Sequence, residues 1–231
     1  MRLPPTLVAL SPGTLEEVPG AAARAAFERA ARAAWKGGLR GLLLREPGLA
    51  DRAFLDLARA LRRVFEGGWL GLHDRVHLVD AAGADGAHVG GRSLPVGAAR
   101  AVVGSDVCLS VSTHAGDGPA VWSGADATFH APVFAPCSKE APGPELGRDG
   151  LAAFTSTCEV PVWALGGVTA ERVPRLAGAG VAGAAAIGGV WGTGPEPLAI
   201  DPGPLADLDG IEARSRALDA AAHEAFGEVR R

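Results

Sequence analysis

Val160-Pro161-Val162-Trp163-Ala164-Leu165-Gly166-Gly167-Val168 is an apolar run that ends in two glycines, with Thr169 and Glu171 just beyond. It shows no polar alternation, so a strand here is buried on both faces, as parallel strands are. The glycines leave bare backbone where a helix is expected to open. Unpaired N–H groups at a helix start attract anions, phosphate above all. The pattern recurs further on, as Gly183-Ala184-Ala185-Ala186-Ile187 followed by Gly188-Gly189 and another helix candidate. Two such units in tandem describe the phosphate grip after the seventh and eighth strands of a (β/α)8 barrel.

Working outward, the same alternation fills the chain. Apolar runs bounded by Gly and Pro predict strands over 7–11, 39–44, 69–72, 86–89, 107–111, 127–130, 160–165 and 183–187. Helical spacing predicts helices over 21–36, 51–66, 76–82, 95–102, 119–123 and 149–156, with a last helix over 213–229. Strands alternating with helices predict a parallel sheet. Eight such units predict an α/β fold, a single (β/α)8 TIM barrel over about residues 7–192. A linker and an extra C-terminal helix occupy about 193–231, within one domain. An open doubly wound sheet is the runner-up, but no G-x-G-x-x-G follows the first strand.

A chain of 231 residues, 48% hydrophobic, buries one sizeable core. A net charge of -4 without a basic block argues against nucleic acid as partner. Cys108, Cys137 and Cys158 form no paired motif, which suggests a reducing compartment. The start lacks a long apolar core, and no run reaches the roughly 18–20 residues of a membrane span, so the expected location is the cytoplasm, away from membranes. A homodimer is compatible with this reading.

In such a barrel the polar residues at the C-terminal ends of strands point into the site. That rule selects Arg45 and Glu46, His73 with Asp74 and Arg75, His88 and Ser93, Ser112 and His114, and then His130, Ser138 and Lys139. Several cations beside two glycine turns suit a doubly anionic ligand, since Arg clamps phosphate bidentately and Lys acts as a point charge. Structural alternatives stand beside these. Arg45 and Glu46 could form a local ion pair, His88 a hydrogen-bonded core histidine, and His73-Asp74 a helix cap. His114 could simply start a helix, and Cys137 be an ordinary loop cysteine.

With these residues laid out, the chain resembles thiamine phosphate synthase and its sister, the thiazole tautomerase of thiamine biosynthesis. The marks are Leu43-Leu44-Arg45-Glu46, Leu72-His73-Asp74-Arg75-Val76, and Gly83-Ala84-Asp85-Gly86-Ala87-His88-Val89-Gly90. They continue as Ser110-Val111-Ser112-Thr113-His114, Pro132-Val133-Phe134-Ala135-Pro136-Cys137-Ser138-Lys139, Ala164-Leu165-Gly166-Gly167-Val168 and Ala185-Ala186-Ile187. The resemblance implies a transferase that joins a pyrimidine methyl pyrophosphate to a thiazole phosphate and releases pyrophosphate. It implies that Arg45, Ser112 and Lys139 hold the pyrophosphate. Gly166, Gly167, Ile187 and Gly188 would hold the thiazole phosphate, and Asp74 would bind Mg²⁺.

Against the family pattern, Pro47 stands where a basic residue is expected, His73 where asparagine is, and Ser93 where the second metal carboxylate is. Ala135-Pro136 replaces its Pro-Thr pair. These changes imply a weakened pyrophosphate and Mg²⁺ side, because Mg²⁺ favours hard, charged oxygens. The alternative is a metal-independent, thiazole tautomerase-like isomerase with His73, His114 or His130 as base. Its key histidine falls on Pro132 here, so His130 would substitute only if its side chain points inward. A third reading is a non-catalytic barrel that binds a phosphate ligand.

Overall fold

The computed structural model describes residues 1–15, 21–135, 145–192 and 207–227. Its elements are β1 (Leu7–Leu10), α1 (Ala21–Lys36), β2 (Gly41–Leu44), α2 (Asp51–Val64), β3 (Trp69–His73) and, after a 3-10 turn, α3 (Val79–Ala82). Then come β4 (Gly86–Val89), α4 (Val96–Val103), β5 (Cys108–Thr113), α5 (Pro119–Trp122), β6 (Ala127–His130) and α6 (Gly147–Thr155). β7 (Val162–Leu165), β8 (Gly183–Ala186), α7 (Gly188–Trp191) and α8 (Leu208–Phe226) complete the chain. Each strand pairs in parallel with the next, and β8 pairs with β1, so the sheet closes as a (β/α)8 barrel with an extra C-terminal helix. The eight expected strands are all present; α8 starts earlier than the expected 213. β7 starts at Val162, since Pro161 has no N–H to give to a ladder. The proposed linker over 193–206 lies outside the described residues.

The interior is filled from the floor upward. Val8, Leu10, Leu43, Trp69, Ala127, Phe129, Trp163 and Ala185 form one buried cluster inside the barrel. The opposite-facing strand residues join the helices in a larger outer core. Two indoles occupy most of the lower interior, and strand glycines make room for them. A Cβ on Gly71 would lie 2.3 Å from the Trp69 ring, and one on Gly86 2.6 Å from it. One on Gly183 would lie 2.6 Å from Trp163 Nε1. Gly71 pairs with Gly86, and Trp163 with Gly183, so each indole rests on its own or a neighbouring strand's bare backbone. Buried indole N–H groups need acceptors. Trp69 donates to Arg2 O at 3.2 Å and Trp163 to Pro5 O at 2.8 Å, which draws the N-terminal segment across the floor.

Two clamps of one design close the lower rim. Asp85, before β4, accepts Leu70 N–H and an Arg62 N–H from α2. Asp126, before β6, accepts Leu109 N–H and an Arg100 N–H from α4. Each ties a strand to the helix just before it through one oxygen of a partly buried carboxylate.

The glycine–indole contact predicts strain on enlargement. Gly71→Ala should lower unfolding free energy by about 1–3 kcal/mol in urea titrations, and Trp69→Phe should relieve most of that loss. Strictly additive costs for the pair would reject the packing account.

Candidate functional site at the barrel mouth

Leu43 faces the interior, so strand alternation carries Arg45 to the mouth on the same side. Its backbone N–H donates to Ser11 Oγ at 2.7 Å. Its guanidinium lies over Gly13, where a Cβ would sit 2.7 Å from Nη1; Gly13 has φ +81°. Among the described residues the Arg45 guanidinium has no ion pair or hydrogen-bond acceptor. The expected alternative of an Arg45–Glu46 pair is not what forms. Glu46 is buried and accepts Gly13 N–H and Leu15 N–H at 3.0 Å each. Burial raises its carboxyl pKa against the opposing pull of those bonds. Glu46 is thus a loop clamp, a role with no local sequence signal because its partners lie 31 and 33 positions away.

At the end of β3, Asp74 has φ +64°, the one non-glycine residue with positive φ among those described. Such a conformation is costly and clusters at functional sites. Its N–H donates to His88 O at 2.9 Å, and His73 Nδ1 lies 3.0 Å from Asp74 Oδ2. The Ser93 hydroxyl donates to Oδ1 and itself accepts Gly90 N–H at 2.6 Å. Against the upward push of partial burial, the hydrogen bonds from His73 and Ser93 hold the Asp74 carboxyl well below the usual range. Asp74 therefore does not cap a helix. Arg75 turns away: it donates to Pro47 O at 3.1 Å and Leu49 O at 2.5 Å, reaches Asp51 at 3.3 Å, and lies over the Phe54 ring.

His88 is a buried histidine beneath this corner, and also part of it. Its Nδ1 lies 2.9 Å from Ser110 Oγ and its Nε2 2.8 Å from Ser112 Oγ. The ring sits 5.1 Å from His73 and edge-on to Phe129 at 5.0 Å. Burial first, and then the nearby His73, keep its pKa well below 6.5. Arg45, His73, Asp74, Ser93 and Ser112 are thus brought to one side of the mouth. Ser110 was not anticipated; its inward parity with Ser112 was the available signal.

Across the opening, Gly166 and Gly167 have φ of +101° and +61°. No helix opens at Thr169, contrary to expectation. A loop runs to a 3-10 turn over Val173–Leu176. Pro174 is the reason: it lacks the N–H a continuing helix needs and disfavours α geometry at Val173. After β8 the expected helix is a single turn, Gly188–Trp191, with Ile187 at its N-cap position and no side-chain cap. The attraction for phosphate therefore comes from individual amides, without a long helix dipole behind them. Gly167, Gly188 and Gly189 are part-exposed, and their N–H groups have no acceptor among the described residues. The two turns touch: a Cβ on Gly189 would meet Val168 O at 2.3 Å. A Cβ on Gly167 would meet Ala135 O at 2.5 Å, and Arg172 donates to both Ala135 O and Gly167 O.

His130 is not at the mouth. It faces outward, stacked on Phe154 at 3.6 Å with Nδ1 2.9 Å from Thr113 Oγ1. Its inward neighbour is Phe129, so alternation sends His130 to the helix side. It therefore does not occupy the place of an inward base. His114 is exposed, its N–H donating to Asp117 at 2.7 Å. Cys137, Ser138 and Lys139 lie outside the described residues.

The profile described as thiamine monophosphate synthase matches residues 18–190. A putative thiamine-phosphate synthase of Geobacter sulfurreducens is 42% identical over 158 residues, 67% of this chain and 74% of the relative. The thiamine-phosphate synthase of Methanoculleus marisnigri is 38% identical over 168 residues, 71% of this chain and 80% of the relative. Among solved structures, thiamine phosphate pyrophosphorylase from Pyrococcus furiosus superposes with a TM-score of 0.74 at 21% identity, covering 96% of this chain and 97% of that one. At that identity the superposition speaks for the fold.

Burial, with His114 nearby as a smaller contribution, depresses the His130 pKa from 6.5 to about 4. The unfolded chain takes up this proton near 6.5 and the folded chain does not, so stability is full above 6.5 and falls as pH drops towards about 4. His88 acts in the same direction. Urea unfolding across that range should show this loss, and His130→Gln should flatten the slope; an unchanged slope would exclude the contribution.

Proposed function

The chain belongs to the thiamine monophosphate synthase family, and from that premise we propose that it joins a pyrimidine methyl pyrophosphate to a thiazole phosphate. The bond between the pyrimidine methylene carbon and the pyrophosphate oxygen breaks, and its electron pair leaves with pyrophosphate. The thiazole nitrogen lone pair forms the new carbon–nitrogen bond. The observation that carries this reading is Arg45: a half-buried guanidinium at the mouth without a partner among the described residues. Such a cation is best satisfied by an anionic ligand.

In this reading Arg45 and Ser112, with Lys139, hold the pyrophosphate and orient it for departure. Gly166, Gly167, Ile187 and Gly188 hold the thiazole phosphate through backbone amides, which sets the nitrogen facing the methylene carbon. Asp74 offers one half-exposed carboxylate with the Ser93 hydroxyl beside it. Mg²⁺ at phosphate sites commonly takes one or two carboxylates and completes its shell with water and substrate oxygens. The donors present fit an ion that arrives with pyrophosphate, with Asp74 as its protein ligand. When bound, Mg²⁺ would neutralise charge on the leaving group. The expected ligands are small phosphorylated pyrimidines and thiazoles, handled in the cytoplasm by one barrel domain.

The 3.0 Å His73–Asp74 contact supports a second reading, since a histidine oriented by a carboxylate is a general acid–base arrangement. That reading is a metal-independent isomerase acting on a thiazole phosphate.

One assay separates them. With both substrates and Mg²⁺, pyrophosphate release is expected. Arg45→Ala should raise KM for the pyrimidine substrate by about tenfold to a hundredfold. Ser93→Asp should lower the Mg²⁺ concentration needed for half-maximal rate. Solvent deuterium entering the thiazole phosphate without Mg²⁺, and no pyrophosphate released, would replace the transferase reading with the isomerase.

A further inference from the structure

The turn after β7 is two consecutive glycines, Gly166 and Gly167, both at positive φ. Glycine enters that region as readily as its mirror, so a glycine pair does little to hold its own peptide planes. In a planar trans peptide the C=O and the following N–H point in opposite directions, so whatever fixes the carbonyl also aims the amide. A plane turned over would put a carbonyl oxygen where an amide hydrogen had been, and a carbonyl oxygen repels phosphate. Both carbonyls of this turn are held from outside it. Gly166 O accepts Phe134 N–H at 3.1 Å, one rung beyond the bond from Val133 N–H to Leu165 O at 2.9 Å. Among the described residues no backbone N–H reaches Gly167 O. Arg172 Nη1 fills that place at 2.9 Å and donates as well to Ala135 O at 3.1 Å.

The consequence falls on Val168. The residue is 3% exposed, its side chain belongs to the outer core, and its N–H has no acceptor among the described residues. Backbone donors of buried residues are rarely left unpaired, so this one is suited to a ligand. The bond that Gly167 O accepts is charge-assisted, which makes it the firmer of the two holds on the turn. We propose that Arg172 is a positioning residue for the phosphate turn. It locks the Gly167–Val168 peptide with its carbonyl toward the guanidinium, so that the Val168 N–H faces the other way and joins the amides of Gly167 and Gly188 on the thiazole phosphate. Arg172 itself stays off the ligand. Its Nη1 is committed to two carbonyls, its guanidinium lies 5.7 Å from the Phe134 ring centroid, and it makes no ion pair among the described residues. The hold on Gly166 O comes from backbone, which no substitution removes. The hold on Gly167 O comes from one side chain and can be removed by exchanging it.

The role rests on the proposed function in one respect, that a thiazole phosphate lies against these turns. Proton–nitrogen correlation NMR of the full-length, nitrogen-15-labelled protein reads the amide without any substitution. Saturating thiazole phosphate should move the Val168 amide proton downfield, as a new hydrogen bond to a phosphate oxygen does. Arg172→Met keeps an aliphatic stem beside Phe134 and removes both donated bonds. By calorimetry it should bind thiazole phosphate about tenfold more weakly, with pyrophosphate affinity changed by less than about threefold. General damage to the mouth would weaken both ligands alike. A Val168 amide that stays put in the saturated wild type, a variant that binds as tightly as the wild type, or equal losses for the two ligands would overturn the positioning role and leave the phosphate site standing. No binding of thiazole phosphate by the wild type would overturn the role and the proposed function together.

Discussion

Two indoles pressed onto glycine backbone decide where polarity can go in this barrel. Trp69 lies against Gly71 and Gly86, and Trp163 against Gly183, with no room for a Cβ at any of the three. The lower interior is thereby filled, and the N-terminal carbonyls of Arg2 and Pro5 satisfy the indole N–H groups from below. Inward-facing polar side chains are left one place, the layer above. His73, His88, Ser110 and Ser112 all lie there on the same strand parity as the plug beneath them. A sealed apolar floor lowers the local dielectric under these groups, which strengthens every hydrogen bond they make and penalises any left unmade.

The mouth above that floor has two halves of different make. On the β2–β5 side it consists of side chains: Arg45, His73, Asp74, Ser93 and Ser112. On the β7–β8 side it consists of backbone, two turns that touch through Gly189 and Val168. A backbone half asks little of sequence beyond glycine where φ is positive or the approach is close. A side-chain half is altered by any exchange of residue type. Pro47, His73 and Ser93 all fall in the side-chain half, whereas Gly166 and Gly167 on the other side take positive φ.

The strands were legible because parallel strands buried on both faces read as short apolar runs, and each of the eight is bounded by glycine, proline or charge. The residues that reach the mouth were legible for the same reason, through strand-end position and alternation. What escaped was set by contacts distant in sequence. Glu46 reads as a strand-end carboxylate, yet its partners are amides of the first loop. His88 was legible as a hydrogen-bonded core histidine, but not the identity of its partners, hydroxyls from another strand. His130 shares with Thr128 the outward parity of β6, which its conspicuous position near a loop obscured. The helix expected at Thr169 failed for a local reason that was present in the sequence, Pro174.

The loops at the mouth are tied to one another more thoroughly than they are charged. Glu46 holds the first loop, and Arg75 holds the second through the carbonyls of Pro47 and Leu49. Ser93 joins the β4 loop to Asp74, and Arg172 joins the β6 loop to Gly167. All four ties engage a charged group, two carboxylates and two guanidinium groups. Arg75 in particular, beside the position where Pro47 stands, is a cation committed to backbone. Among the described residues this leaves Arg45 as the mouth cation without a partner, held in place by a rigid surround. An arrangement of that kind stabilises a leaving anion through fixed geometry, since donors that need not reorganise act at full strength when charge develops. Among the described residues, the single unpartnered cation and the many loop contacts are then two aspects of the same allocation of arginine and carboxylate side chains.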